Sequence, residues 1–193
     1  MLKIGIIVGS TRPGRKAESV ARWVHDIASK RSSAGAATYE LIDIESFNLP
    51  LLDEPVPPSL NKYSKDHTRA WSAKIAGLDA FVFVTPEYNH STSGALKNAI
   101  DFLYHEWTNK AAAFVSYGSA NGVRAVEHLR GVAGEIQIAD VRASVGLSLF
   151  EDFENFAAFK PRALHEPLVG AMLDQLEGWG RALKALREGT LPG

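Results

Sequence analysis

Phe81-Val-Phe-Val84, followed by Thr85-Pro-Glu-Tyr-Asn-His-Ser-Thr-Ser-Gly94 and then by Ala95-Leu-Lys-Asn-Ala-Ile-Asp101, decides the fold. β-branched and aromatic residues that end at a proline, then polar residues, then apolar residues at helical spacing read as strand, loop and helix. The loop stands at the carboxyl end of its strand, where open α/β sheets take their ligands. A junction of the same kind opens the chain: Ile4-Gly-Ile-Ile-Val8 runs into Gly9-Ser-Thr-Arg-Pro-Gly-Arg15.

Working outward from these two junctions, strands and helices alternate. Leu2 to Val8 is continuously apolar apart from Lys3, the pattern of a strand buried on both faces. Val20, Trp23, Val24, Ile27 and Ala28 predict a helix from about Pro13 to Lys30, closed by residues 32–35. Thr38 to Ile44 is the second strand, and the prolines between Asn48 and Pro58 keep that connection irregular. Ser59 to Ala76 reads as a helix with Trp71, Ile75 and Ala76 inward, and Ala80 to Thr85 as the third strand. The next helix carries Leu96, Ile100, Leu103 and Trp107 on one side; Ala111 to Tyr117, Asn121 to Gly131 and Gln137 to Val145 follow as strand, helix and strand. Such alternation implies a parallel sheet covered on both sides, a three-layer α/β sandwich. Phe150, Phe153, Phe156 and Phe159 recur every third residue in a segment too interrupted to read as a helix; they pack as a short helix or turn on the chain's own sheet, or some of them cover a neighbouring subunit or roof its ligand site. Leu164 to Leu186 forms a last amphipathic helix.

Size and composition narrow the function. The 193 residues, 46% of them hydrophobic, make one domain spanning 1–193 the economical expectation. A formal net charge of -1, from 21 basic and 22 acidic residues, offers no field for nucleic acid or an anionic membrane. With no cysteine there is no disulfide, thiolate nucleophile or iron–sulfur cluster, so any redox chemistry needs a bound cofactor. The apolar run at Ile4 is too short for a signal peptide, and cytoplasmic is the expected location. The histidines at 25, 67, 90, 105, 128 and 165 have no metal-ligand spacing and read as surface or helix-flank residues; no metal site is expected.

The first loop suits an anion. A loop entering a helix N-terminus presents unpaired backbone N–H groups, to which Ser10 and Thr11 add hydroxyls and Arg12 and Arg15 add guanidinium groups. It is not a Walker loop, because Arg15 and Lys16 stand where lysine and a hydroxyl residue belong, and the glycine triplet of a dinucleotide fold is absent. In Pro86-Glu-Tyr-Asn89, a stiff backbone, a flat ring and a side-chain amide suit the wall of a planar heterocycle. In a sheet ordered 2-1-3-4-5, strands 1 and 3 adjoin where the winding reverses, and Ser116-Tyr-Gly-Ser-Ala-Asn-Gly122 lies beside them with residues small enough for close backbone approach.

These residues carry a resemblance. Gly9-Ser-Thr-Arg12, then Pro86 to Asn89 with Gly94, Leu96, Lys97, Asn98 and Asp101, and more loosely Ser116-Tyr-Gly118, resemble the NAD(P)H-dependent FMN reductase family of flavodoxin-like proteins, which includes quinone, azo-dye and chromate reductases. The resemblance extends over nearly the whole chain. It implies the flavodoxin-like fold with five parallel strands ordered 2-1-3-4-5, and bound FMN with NADPH or NADH as co-substrate. It implies that Ser10, Arg12 and the backbone of Arg15, Lys16 and Ala17 hold the FMN phosphate. Pro86, Glu87, Tyr88 and Asn89, with Ser116, Tyr117 and Gly118, would line the ring and ribityl chain. A small-molecule acceptor, a ping-pong cycle, and a homodimer or homotetramer to which Tyr104 and Trp107 contribute complete the expectation. Two departures stand out: many members have proline where this chain has Ser93, and many have a more glycine-rich third loop.

Hydride transfer through a flavin needs no protein nucleophile or acid–base residue, so none is expected. The rival within the fold is an FMN-binding electron carrier of the flavodoxin kind, whose strong acidic docking surface the near-zero charge disfavours. A serine hydrolase using Ser91 or Ser93 fails because Asn89 takes no glycine position of a nucleophile elbow and His90 is merely sequence-adjacent.

Overall fold

The computed structural model describes residues 1–32 and 37–190. Five strands form a parallel sheet: β1 (Leu2–Val8), β2 (Ala37–Asp43), β3 (Ala80–Pro86), β4 (Lys110–Gly118) and β5 (Ile138–Ser148), in the order β2-β1-β3-β4-β5. This is the flavodoxin-like order. The central strands β3 and β4 are buried along their whole length, as a sheet covered on both faces requires. Alternation along β3 divides the core: Val82 and Val84 face α1 (Ala17–Ser32) and α5 (His165–Arg187), while Phe81 and Phe83 face α2 (Asp66–Ala76), α3 (Gly94–Asp101) and α4 (Val123–Glu135).

Several boundaries differ from the sequence expectation. α1 begins at Ala17 rather than near Pro13, because Gly14 takes a left-handed φ of 69° and the N–H of Arg15 closes a turn onto the carbonyl of Arg12. Its expected close lies, over 33–35, outside the described residues. α2 begins only at Asp66, after a separate 3₁₀ turn over Pro58–Leu60; Thr68, Trp71 and Ile75 are its buried residues and Ala76 is exposed. α3 stops at Asp101. Leu103 and Trp107 reach the core from the following turns instead, where the Trp107 ring lies edge-on to Phe81 at 4.9 Å and its N–H donates to Ile100 O at 3.1 Å. Trp107 is therefore interior and unavailable to a subunit contact. β5 is longer than expected and carries a register irregularity opposite Ala112 and Phe114.

At the end of the sheet remote from the β1 and β3 loops, the buried Lys110 donates to the carbonyls of Ile75 at 2.8 Å and Ala76 at 3.2 Å, satisfying the last turn of α2. Burial, reinforced by the charge of Arg187, lowers its pKa from 10.5 to about 8. Unfolding restores the ordinary value, so between about pH 8 and 10 the unfolded chain binds the extra proton and stability rises with pH. Urea unfolding followed across that window should show this rise, and Lys110→Met should flatten it. At the opposite end, a Cβ on Gly9 would lie 2.5 Å from the Val84 carbonyl oxygen and 2.8 Å from Leu96 Cδ2. Gly9→Ala should therefore cost about 1–3 kcal/mol in urea unfolding.

Candidate functional site

β1 and β3 stay paired to Val8 and Val84, the N–H of Gly9 donates to Val84 O at 2.9 Å, and the two chains then part. The crevice opens there, while β3 remains paired with β4 through Pro86 and Tyr117. Pro86 is tolerated because its missing N–H falls where β3 no longer has β1 beside it. Ser93 Oγ donates to Gly9 O at 2.6 Å and accepts the N–H of Leu96 at 3.0 Å, capping α3 and joining the two loops.

In the first loop Ser10 is buried, its Oγ 3.2 Å from the Tyr88 hydroxyl. The Arg15 guanidinium turns back on the protein: it donates to Ser10 O at 2.8 Å and to both Asp43 carboxylate oxygens, and lies 2.9 Å from Glu45 Oε2. It thus clamps the end of β2, and its backbone N–H is committed as well, to Arg12 O at 2.9 Å. Arg12 and Lys16, by contrast, make no side-chain hydrogen bond or ion pair with any described residue, and the N–H groups of Gly14 and Lys16 have no partner among them. Ala17, the first residue of α1, directs its N–H to the Tyr117 hydroxyl; burial, with Tyr88 nearby, pushes the Tyr117 pKa up, so the phenol stays protonated.

The second loop closes as a tight turn in which Tyr88 and Ser91 exchange backbone bonds of 2.8 and 3.1 Å across Asn89 and His90, both at positive φ. Asn89 is consequently at an exposed apex rather than against a ligand wall. The nearly buried Glu87 carboxylate pairs with Arg124 and accepts its N–H at 3.2 Å, and Arg124 Nη1 also reaches His90 Nε2 at 2.8 Å. In the third loop Ser116 is buried and donates to Asn121 O at 2.7 Å. Gly118 allows the close packing of this loop on the second: a Cβ there would sit 3.1 Å from Glu87 Cβ.

A cavity of about 270 Å³ lies between the loops, lined by residues 12–16, Pro86, Glu87, Tyr88, Tyr117, Gly118, Leu149 and Phe156. Arg12, Arg15, Lys16, Pro86, Glu87, Tyr88, Tyr117 and Gly118 of the sequence expectation thus meet at one place. Ser10 and Ala17 stand behind that lining, and Asn89 and Ser116 are turned away from it for the reasons given. A second cavity of about 230 Å³ flanks Thr11 and runs along Ile44, Asn48 and Asn98.

Leu149 and Phe156 were missed, although the phenylalanine spacing marked their segment. Those phenylalanines form neither helix nor plain turn but a hairpin, β6 (Phe153–Glu154) with β7 (Ala158–Phe159). Phe153 and Phe159 pack inward at 5.1 Å from one another, on Tyr117 and Trp23 respectively. Phe150 and Phe156 point out and meet edge-to-face at 5.5 Å. Asp152, fully buried, fixes the base: its carboxylate accepts from Ser148 N at 2.8 Å, from Arg162 N and Nε at 3.0 Å each, and pairs with His165 at 3.0 Å. Burial alone would raise the Asp152 pKa, but Arg162, these backbone donors and His165 hold it below the ordinary value. His165 is therefore interior, not a helix-flank residue. His128 Nδ1 lies 3.0 Å from Ser91 Oγ, a pair that sequence spacing did not reveal; no carboxylate is bonded to His128 among the described residues, so the third member of a triad is lacking.

Comparison with known proteins agrees with this geometry. The family model described as NADPH-dependent FMN reductase matches residues 2–152. The NAD(P)H-dependent FMN reductase ntnL of Nectria sp. is 43% identical over 129 residues, which are 65% of this chain and 64% of that protein, so the match spans less than two thirds of the relative. A quinone reductase of Pseudomonas putida is 28% identical over 95% of this chain and 97% of its own. Among solved structures, the flavoenzyme NAD(P)H:(acceptor) oxidoreductase FerB of Paracoccus denitrificans superposes with a TM-score of 0.72 at 20% identity, covering 94% of this chain and 98% of that one, a likeness of fold. With the family match running from β1 to the carboxylate that anchors the hairpin, the chain belongs to the NADPH-dependent FMN reductase family.

Proposed function

We propose that the protein is an FMN-containing oxidoreductase that oxidises NADPH or NADH and reduces a quinone, free flavin or another small acceptor, the two substrates using one cavity in turn. The observation that carries the reading is that one cavity is lined both by Arg12 and Lys16, cations without a side-chain partner among the described residues, and by the flat groups Pro86, Tyr88 and Tyr117. Such a lining suits a phosphate joined to a planar ring. The names of the Nectria and Pseudomonas relatives support the same chemistry.

On this reading Arg12, Lys16 and the free N–H groups at Gly14 and Lys16 hold the phosphate, with Ser10 and Ala17 behind them. Pro86 to Tyr88 and Tyr117 to Gly118 hold the ring. FMN held there would supply two-electron chemistry, a hydride coming from the nicotinamide and two electrons and a proton going to the acceptor, with a quinone drawing its second proton from water. The residues bind, orient and exclude water; Ser91, Ser93 and His90 serve the loop's shape. An electron carrier without turnover is disfavoured by the balanced charge of the chain.

The test is the visible spectrum of the purified protein. Oxidised-flavin bands, bleached by NADPH without oxygen, and parallel double-reciprocal lines with a quinone are expected; a colourless protein that FMN does not stain overturns the reading. Arg12→Ala should weaken FMN by roughly 10- to 100-fold, the size of one charge-assisted hydrogen bond, and riboflavin, which lacks the phosphate, far less. We further infer a homodimer, for which the exposed Leu164, Leu168, Trp179 and Leu186 offer an apolar stripe along one side of α5. Light scattering at micromolar concentration should give twice the chain mass, and a monomer excludes it.

A further inference from the structure

The hairpin tip is built at a conformational cost that its own packing does not explain. The N–H of Ala157 donates to Glu154 O at 2.9 Å, closing a tight turn whose central residues, Asn155 and Phe156, both have positive φ, 50° and 56°. Turns of this kind favour asparagine first and glycine second. A phenylalanine in the second position is an outlier, and such outliers persist where function holds them. The ring gains little burial in return, being 56% exposed, and its ring–ring contact among the described residues is with the outward Phe150. Yet it lines the same cavity as Tyr88 and Tyr117, carried there by a different loop. Its base is rigid, because Phe153 and Phe159 are packed inward and Asp152 ties both flanks of the hairpin.

We propose that Phe156 is a specificity residue that stacks on the electron acceptor and selects flat, fused aromatic acceptors over compact ones. This rests on the function proposed above and names the substrate class of that site. A phenyl ring has no hydrogen-bonding group, so it recognises an apolar π-face and nothing else. The nicotinamide dinucleotide brings phosphates and an adenosine as further handles. A quinone brings a flat ring and its two carbonyl oxygens, with no phosphate or adenosine, so removal of the stack falls hardest on the acceptor half of the cycle. The left-handed backbone at Phe156 is what turns the ring toward the cavity mouth instead of along the strand.

The experiment compares wild type, Phe156→Ala and Phe156→Tyr with two acceptors: a naphthoquinone, which takes two electrons and two protons, and ferricyanide, two equivalents of which take one electron each and present no flat ring. Phe156→Ala should lose roughly tenfold in kcat/KM with the naphthoquinone, carried by KM, the order expected for one aromatic face removed from a stack. The loss with ferricyanide should be several-fold smaller, and Phe156→Tyr should restore most of the preference. Equal losses with both acceptors, or a preference that Phe156→Ala leaves intact, overturn the inference while leaving the flavin reading in place. A wild type that takes up no FMN overturns that reading and this inference with it.

Discussion

One buried hydroxyl holds the two principal loops in register. Ser93 Oγ gives its hydrogen to the Gly9 carbonyl and takes one from Leu96 N, so a group on the second loop satisfies both the first loop and the start of α3. A buried carbonyl left without a partner would cost about 1–3 kcal/mol, and Gly9 is held too close to Val84 and Leu96 for the backbone to find another. Ser93 is therefore the position that joins the loops. Everything above it depends on that spacing: the Ser10–Tyr88 contact, the cavity floor and the mouth toward the hairpin.

The charges around the cavity divide by commitment. Arg15, two residues before the start of α1, is neutralised by Asp43 and Glu45 and acts as a brace between β2 and the loop. Glu87 and Arg124 neutralise one another between the second loop and α4. Among the described residues Arg12 and Lys16 are the cavity-lining cations left without a side-chain partner, so they carry the unneutralised positive charge of the crevice. A molecule with one anionic end has a single sensible orientation in such a site.

The parallel strands and the loops at their ends were legible because each rests on local pattern, namely continuous apolar strands, helical periodicity, and proline or glycine at the junctions, while the strand order came with the family resemblance. What sequence could not supply were facts that depend on partners distant in the chain. Nothing local distinguishes Arg12 from Arg15, and only the fold brings Asp43 to the second of them. Leu103 and Trp107 keep helical spacing with Ile100, yet the chain leaves the helix at Asp101 and the aromatic core at Phe81 still draws them in. The three-residue spacing of the phenylalanines matches neither a helix nor a strand; it becomes intelligible as a hairpin that puts two rings on each side. Likewise His165 reads as surface until Asp152 is placed beside it.

Asp152 receives bonds from residue 148 on one side of the hairpin and residues 162 and 165 on the other, and its own carbonyl accepts the N–H of Lys160 at 2.8 Å. The hairpin is in effect a cassette fastened at both ends to one carboxylate. Its tip can be lengthened, shortened or rewritten by mutation without moving the anchored flanks beside β5 and α5, while the cations that line the crevice, Arg12 and Lys16, lie on another loop. Acceptor preference can thus diversify among descendants of this chain independently of cofactor binding, which gives evolution a place to alter what the protein reduces while retaining the means of reducing it.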